Sequence, residues 1–327
     1  MSEAKNILAV FNCCGLMHDN IGPWLVNLDA LANQHKGYPN FKICISGCGI
    51  SPESKDTLSK WAKESPVKTY LSWIEDHIPV NQTFNKSVEE CEKVEKFDAF
   101  WYLASDVTLV NTSRLAIKED QDILKQLVEA HYDHDSAMTS LVVDHDGGFR
   151  EWFGFTETSD NLKHNYEIPV GRTVNLHTTL FDRSILDRYG RVIPDIFRTF
   201  ATESVFSFVA AGVNKCMIVH NNSIIVKHTG MMDGRSVCEL DDIKKNNANW
   251  AHIFGDIPAR ERLCSREASD VGFGVEEKLS FFRHNRECYE NNRAKDPEPL
   301  ADFIKKACYL SEDEIDYDEI HCEFIEA

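Results

Sequence analysis

No apolar run in this chain of 327 residues approaches the ~20 residues needed to cross a bilayer, so no membrane span is expected. The stretch Ile7 to Phe11 is too short for a signal-peptide core, and no small-residue cleavage site follows it. No Cys-x-x-Cys pair occurs among the eleven cysteines, and their number is odd, which speaks against a zinc site or a closed disulfide framework. Cys13, Cys44 and Cys216 lie in strand-like apolar runs, where a thiol behaves as a small hydrophobe. Reduced thiols in a cytoplasmic protein are therefore expected. Internal repeats are absent. Basic residues are scarce: 35 Lys and Arg face 53 Asp and Glu, for a net charge of −18. Eight of the acids, and no Lys or Arg, lie between Ser311 and Ala327, which leaves −10 for the rest. That balance disfavours long phosphate-tracking contact with duplex nucleic acid. A local basic group at Arg260, Arg262, Arg266, Arg283 and Arg286 is diluted by Glu261, Glu267 and Glu287.

What is present suits a packed protein. Hydrophobic residues make up 43% and charged residues 27%, and the length fits two domains or one large α/β domain with an appendage. Strand and helix signals alternate through the first hundred residues. Asn6–Cys13, Phe41–Ser46, Val67–Trp73 and Phe97–Ala104 read as strands. A helix opens at Gly22-Pro23 and stops at Gly37, a second is capped by Ser51-Pro52, and Ser87–Val94 reads as a short third. This spacing implies βαβ units and a mostly parallel sheet with helices on both faces.

Beyond Asp106 the spacing changes. Glu119–His131 has the period of an amphipathic helix, and Ala137–Val143 reads as a strand closed by the turn Asp146-Gly147-Gly148. Thr173–Phe181 reads as a strand, with helices over Ser184–Tyr189 and Thr202–Ala211. Lys215–His220 and Ser223–His228 read as a hairpin joined by Asn221-Asn222. His131-Tyr132-Asp133-His134-Asp135 ends a helix and reads as solvated surface. A Pro-containing break falls at Asp296-Pro297-Glu298-Pro299, and the acid-only end reads as a tail.

Ligands of open parallel sheets bind outside the carboxyl ends of the strands. Asn12, the run from Ser46, and Ser105-Asp106 stand at such ends. Asp106 emerges directly from the buried strand Phe100 to Ala104, which suits a hard cation holding a diphosphate. Glu203 opens an apolar helix, where an acid serves the helix dipole or acts as a general base. His228 ends a hydrophobic strand and reads either as a satisfied polar residue or as an imidazole ligand converging on Asp106.

The order of these features resembles the GT-A glycosyltransferases, especially the family-2-like enzymes that use nucleotide-diphosphate sugars. The matching stretches are Ile7 to Gln34, Cys44-Ile45-Ser46-Gly47, Val80 to Ser87, Phe97 to Asp106, Thr202-Glu203-Ser204 and Lys227-His228. The resemblance covers about the first 230 residues. It implies an α/β, Rossmann-like GT-A sheet flanked by helices, with a helical C-terminal extension. Residues 1–110 would form the nucleotide-sugar-binding half and 111–234 the acceptor-binding half of one domain. The extension would cover 235–310 and the acidic tail 311–327.

The implied activity is a metal-assisted hexosyl- or pentosyltransferase. It would move a sugar from a nucleotide-diphosphate donor to an acceptor hydroxyl with inversion. The acceptor is left open between a glycan, a metabolite and a modified base. Ser105-Asp106-Val107 matches the family's Asp-x-Asp motif, making Asp106 the implied ligand of Mn²⁺ or Mg²⁺, with His228 as a late metal ligand. Glu203 matches the acid that deprotonates the acceptor, and Asn12, Ser46, Asn85 and Ser105 the donor contacts. The acceptor would dock over Thr173 to Asp195, near His177, Arg183 and Asp195.

Departures from the pattern are a single Asp in the motif and no acidic pair after the second strand. Two other readings stay open: a nucleotidyltransferase making sugar nucleotides, and a non-catalytic binding protein on the same fold. The segment Asn12 to Asp19 has one Gly and no Lys or Arg, which counts against a triphosphate loop.

Overall fold

The structure, a computed structural model, describes residues 4–14, 21–76, 78–110, 120–145, 150–151, 165–168, 170, 174, 176–196, 202–228, 289–291, 293–309 and 315–327. The Arg260 to Arg286 group and the whole of 235–288 lie outside them. Strands β1 (Ile7–Cys14), β2 (Phe41–Cys48), β3 (Thr69–Ile74) and β4 (Ala99–Ala104) pair in parallel, in the order β3-β2-β1-β4. Their crossovers are α1 (Ile21–Ala32), α2 (Pro52–Glu64) and α3 (Val80–Val94). The short β5 (Val107–Thr108) follows a two-residue turn, and α4 (Ile123–Asp133) leads into β6 (Ser136–His145).

The sheet continues through β9 (Thr178–Asp182), antiparallel to both β4 and β6, then β6 and β10 (Cys216–His228), which are parallel. Only β9 is reversed in this seven-strand body, so the expected mostly parallel sheet is found. Small strands β7 (Arg150–Glu151) and β8 (Tyr166–Glu167) pair with β6 and β10. Helices α5 (Arg183–Tyr189), α6 (Phe206–Gly212) and α7 (Pro297–Cys308), the hairpin β11 (Tyr289–Glu290) and β12 (Arg293–Ala294), and β13 (Cys322–Glu326) complete the described residues.

Both faces of the central strands are covered. Along β1, Ile7, Ala9 and Phe11 enter one core with Trp24, Leu28 and Leu31 of α1, while Leu8 and Val10 enter the other with Phe84, Val88 and Cys91 of α3. Strands buried on both sides read as continuous apolar runs, which is why β1 and β4 stand out in the sequence. Gly190, at φ 81°, closes α5 in the left-handed region that favours glycine, its N–H donating to the Leu186 carbonyl at 2.8 Å.

Several expectations need correction. Helix α3 starts at Val80, not Ser87, so most of the implied nucleotide segment is helix. The Asn221-Asn222 hairpin is absent: β10 is one strand along β6 with its register shifted between His220 and Ile225. The Pro-containing break is the first turn of α7, where proline costs no hydrogen bond, and α7 buries Leu300, Ala301 and Ile304.

The acid-only end is not wholly a tail. Strand β13 pairs antiparallel with β3, and its half-buried Cys322 and Phe324 alternate with exposed Glu323 and Ile325. The Phe324 ring stacks 5.6 Å from Tyr70. The expected turn Asp146-Gly147-Gly148 lies outside the described residues; β7 pairs antiparallel with β6, with Asp144 opposite Arg150.

His131, read as surface, is fully buried. Its Nδ1 lies 2.8 Å from Thr139 Oγ1 and its Nε2 3.6 Å from Asp182. Burial holds its pKa down, and burial followed by the charge of His134 pushes His220 down to about 4. Both imidazoles are thus neutral when folded, and the unfolded chain takes up their protons first as pH falls through about 6.5. Stability is full above that value and is lost toward pH 4. His220 alone should cost about 2 kcal/mol between pH 7 and 5. Urea midpoints at the two values check this, and equal midpoints would contradict it.

Candidate active site

The carboxyl ends of β1, β2 and β4 form one rim, with Asn12 in register with both Ser46 and Ala104. Asn12 is 7% exposed, and its Nδ2 donates to the Val10 and Leu103 carbonyls at 3.1 Å each. Those two bonds fix the amide, and its Oδ1 is left buried without a hydrogen-bond partner. A lone acceptor of this kind is costly unless a ligand or water donates to it.

Two expected donor contacts are corrected. Ser46 is completely buried on the α3 side, where its Oγ accepts from Ser87 at 2.7 Å. Ser87 also bonds Ser72, 2.8 Å away, whose Oγ lies 3.2 Å from Cys322 Sγ, so these hydroxyls tie β2, α3, β3 and β13 together. Asn85 is also committed internally. Its Nδ2 donates to the Ile193 carbonyl and to Asp195, and its Oδ1 accepts from the N–H groups of Val192 and Ile193. Sequence position places a residue on a strand or helix but not on the open side of it, and a one-residue difference in strand phase reverses the face.

The implied acceptor region is corrected in part. Asp195 is fully buried, bound by Asn85, by Arg191 at 2.8 Å and by the Tyr317 hydroxyl at 2.5 Å. Arg183 is held 3.0 Å from Glu92 and 2.9 Å from the Phe97 carbonyl. His177 stays at the rim, its carbonyl accepting from the Ala104 N–H at 2.9 Å.

Asp106 sits half-exposed in the turn between β4 and β5, directly after the buried β4. One residue further on, Val107 is paired with residue 228 of β10, and Thr108 with Lys227. The main chain of β10 therefore ends beside the Asp106 turn, although Asp106 and His228 are 122 positions apart in the chain. The side chain of His228 lies outside the described residues.

Glu203, half-exposed, stands in a 3-10 turn (Thr202–Val205) ahead of α6. Val205 and Phe206 are fully buried, and the Phe206 ring meets Phe181 of β9 edge-on at 5.5 Å. Tyr102 of β4 is 5% exposed, and burial first, then the charges of Asp106 and Glu203, keep its hydroxyl protonated far above the usual range.

Sequence reasoning missed three residues here: Tyr102, Asn27 and Thr108. Asn27 is 4% exposed in the otherwise apolar inner face of α1, beside Trp24, Leu28 and Leu31. A polar residue on that face was the available signal.

Among the described residues, no group of three His, Cys, Asp or Glu is placed to hold a metal ion. No helix among them is long and apolar enough to cross a membrane. No protein-family model matches the chain, and no curated protein matches it by sequence. Solved structures do. TarS from S. aureus, residues 1–349 in complex with UDP, aligns over 92% of this chain and 87% of its own, with TM-score 0.53 and 10% identity. A longer TarS structure aligns over 88% of this chain, which spans 46% of that chain's length, at TM-score 0.52 and 10% identity. The mannosyltransferase PcManGT from Pyrobaculum calidifontis, in complex with GDP-Man and Mn2+, aligns over 93% of this chain and 80% of its own, at TM-score 0.52 and 10% identity. The chain has the α/β fold of these glycosyltransferases, the GT-A architecture that the order of its strands and helices resembles.

Proposed function

We propose that the chain is a glycosyltransferase that moves a sugar from a nucleoside-diphosphate sugar to an acceptor hydroxyl. The observation that carries this reading is the Asp106 turn at the carboxyl end of β4, with the end of β10 paired beside it, on a sheet of GT-A architecture. Residues 1–110 bind the donor and 111–234 the acceptor, with 235–310 as an extension. Asn12 Oδ1 accepts from the donor, because that oxygen, unlike the Nδ2 of the same amide, has no hydrogen-bond partner in the chain. Ser105 and Asp106 face the diphosphate from the end of β4.

A divalent cation suits a rim that offers one carboxylate and leaves its remaining positions to phosphate oxygens. Asp106 and His228 would hold it, and a mixed oxygen and nitrogen donor set favours Mn²⁺ over Mg²⁺. Such a cation, when bound, offsets charge on the departing diphosphate. Glu203 takes the proton from the acceptor hydroxyl, which attacks the anomeric carbon from the face opposite the leaving group, with inversion. Tyr102, kept protonated by burial and then by the charges of the two carboxylates, is a donor and not a base.

Incubation with a panel of sugar nucleotides and Mn²⁺ tests the reading. Slow release of nucleoside diphosphate and free sugar from one donor is expected. Pyrophosphate-dependent turnover would indicate nucleotidyl transfer instead. Donor binding without any turnover, even with candidate glycans and metabolites supplied, would indicate a binding protein.

A further inference from the structure

We infer that Asn27 is a positioning residue that locks the Asp106 turn before any ligand arrives, with Thr108 as its partner. The part of this inference that concerns Asp106 rests on the glycosyltransferase reading; the lock itself does not. Asn27 lies in the middle of α1, almost fully buried. Its Nδ2 donates to the Ser105 carbonyl at 2.7 Å, and its Oδ1 accepts from the Thr108 hydroxyl at 2.6 Å. One primary amide thus binds the chain immediately before Asp106 and two residues after it.

The amide has only one satisfactory orientation. Reversed, its oxygen would face the Ser105 carbonyl, and two acceptors would oppose each other without a proton between them. The turn is tied from two other directions as well. Val107, 2% exposed, is sunk in the core shared with α1, and β5 pairs with the end of β10. A turn of two residues between short strands would otherwise be free to rearrange. Held this way, Asp106 pays little ordering cost when a diphosphate binds, and the gain appears as donor affinity.

The lock has two legs that can be cut separately. Thr108→Val removes the hydroxyl and leaves Asn27 Oδ1 buried without a donor, whereas Thr108→Ser keeps the bond. Asn27→Leu removes both legs with a larger side chain of the same branching. Two readouts are needed. Amide hydrogen exchange of the segment 105–110, in protein free of nucleotide and metal, reports the lock alone. Titration with UDP or GDP in the presence of Mn²⁺ reports its use.

For Thr108→Val, exchange of this segment should rise roughly fivefold, with the central strands unchanged, and nucleotide affinity should fall by a similar factor. Thr108→Ser should restore both. Exchange equal to wild type in Thr108→Val and Asn27→Leu would overturn the lock. Faster exchange with unchanged nucleotide affinity would overturn the positioning role. If the wild-type protein binds neither nucleotide, the glycosyltransferase reading fails, and exchange by itself still decides whether the lock exists.

Discussion

Replacing Glu203 by glutamine should lower turnover roughly 10²–10⁴-fold, the range typical of a lost general base. Donor affinity should stay within about twofold, because the amide keeps the size of the side chain and removes only its proton-accepting charge. The position supports that separation of effects. Glu203 stands in a short turn anchored by buried Val205 and Phe206, so the substitution does not disturb packing. Its charge acts on Tyr102, the same phenol that the charge of Asp106 acts on. Steady-state kinetics paired with a nucleotide titration measures both quantities. Unchanged turnover would remove Glu203 from the chemistry, and parallel losses of affinity and turnover would make it a donor contact.

The second large effect falls on the donor side. Asp106→Ala should weaken nucleotide and Mn²⁺ binding together, on the order of 10²-fold, since the rim offers no second motif carboxylate to share the role. Stability should change by less than about 0.5 kcal/mol, because Asp106 is half-exposed and the turn is held by Asn27 rather than by the carboxylate. Calorimetric titrations of nucleotide with and without Mn²⁺ separate the contributions. Wild-type nucleotide affinity that ignores Mn²⁺ would contradict the assignment of Asp106. So would an alanine variant whose affinity still rises with Mn²⁺ as in the wild type.

The contrast between Asp106 and Ser46 shows what a sequence of this kind discloses. Both read as following buried parallel strands, whose continuous apolar runs place the bounds of β1 to β4 within two residues. Asp106 stands beyond the end of its strand, where any side chain meets the crevice. Ser46 stands within its strand, and there the face is decided by phase, which composition does not report; it turned out to face α3. Asn85 was misplaced for a related reason. Asn81, Gln82, Thr83, Asn85, Lys86 and Ser87 are all buried, so α3 has no polar side in its first half and lacks the alternation that marks a surface helix.

Non-local pairing was equally hidden. The antiparallel bridge between Val107 and residue 228 joins segments with no sequence relation, and Asn221-Asn222 looked like a turn when it lies inside a strand with an irregular register. Strand β13 was masked by its own glutamates, which alternate with Cys322 and Phe324 on an edge where charge is tolerated.

The most direct measurement is a crystal structure grown with UDP or GDP and Mn²⁺, with anomalous data collected near the manganese edge. The account predicts an anomalous peak bonded to Asp106 and to diphosphate oxygens at the end of β4, with the base near Asn12 and Glu203 facing the position of the sugar. A nucleotide seated elsewhere on the molecule, or a diphosphate bound at this rim with Asp106 turned away from it, would contradict the account.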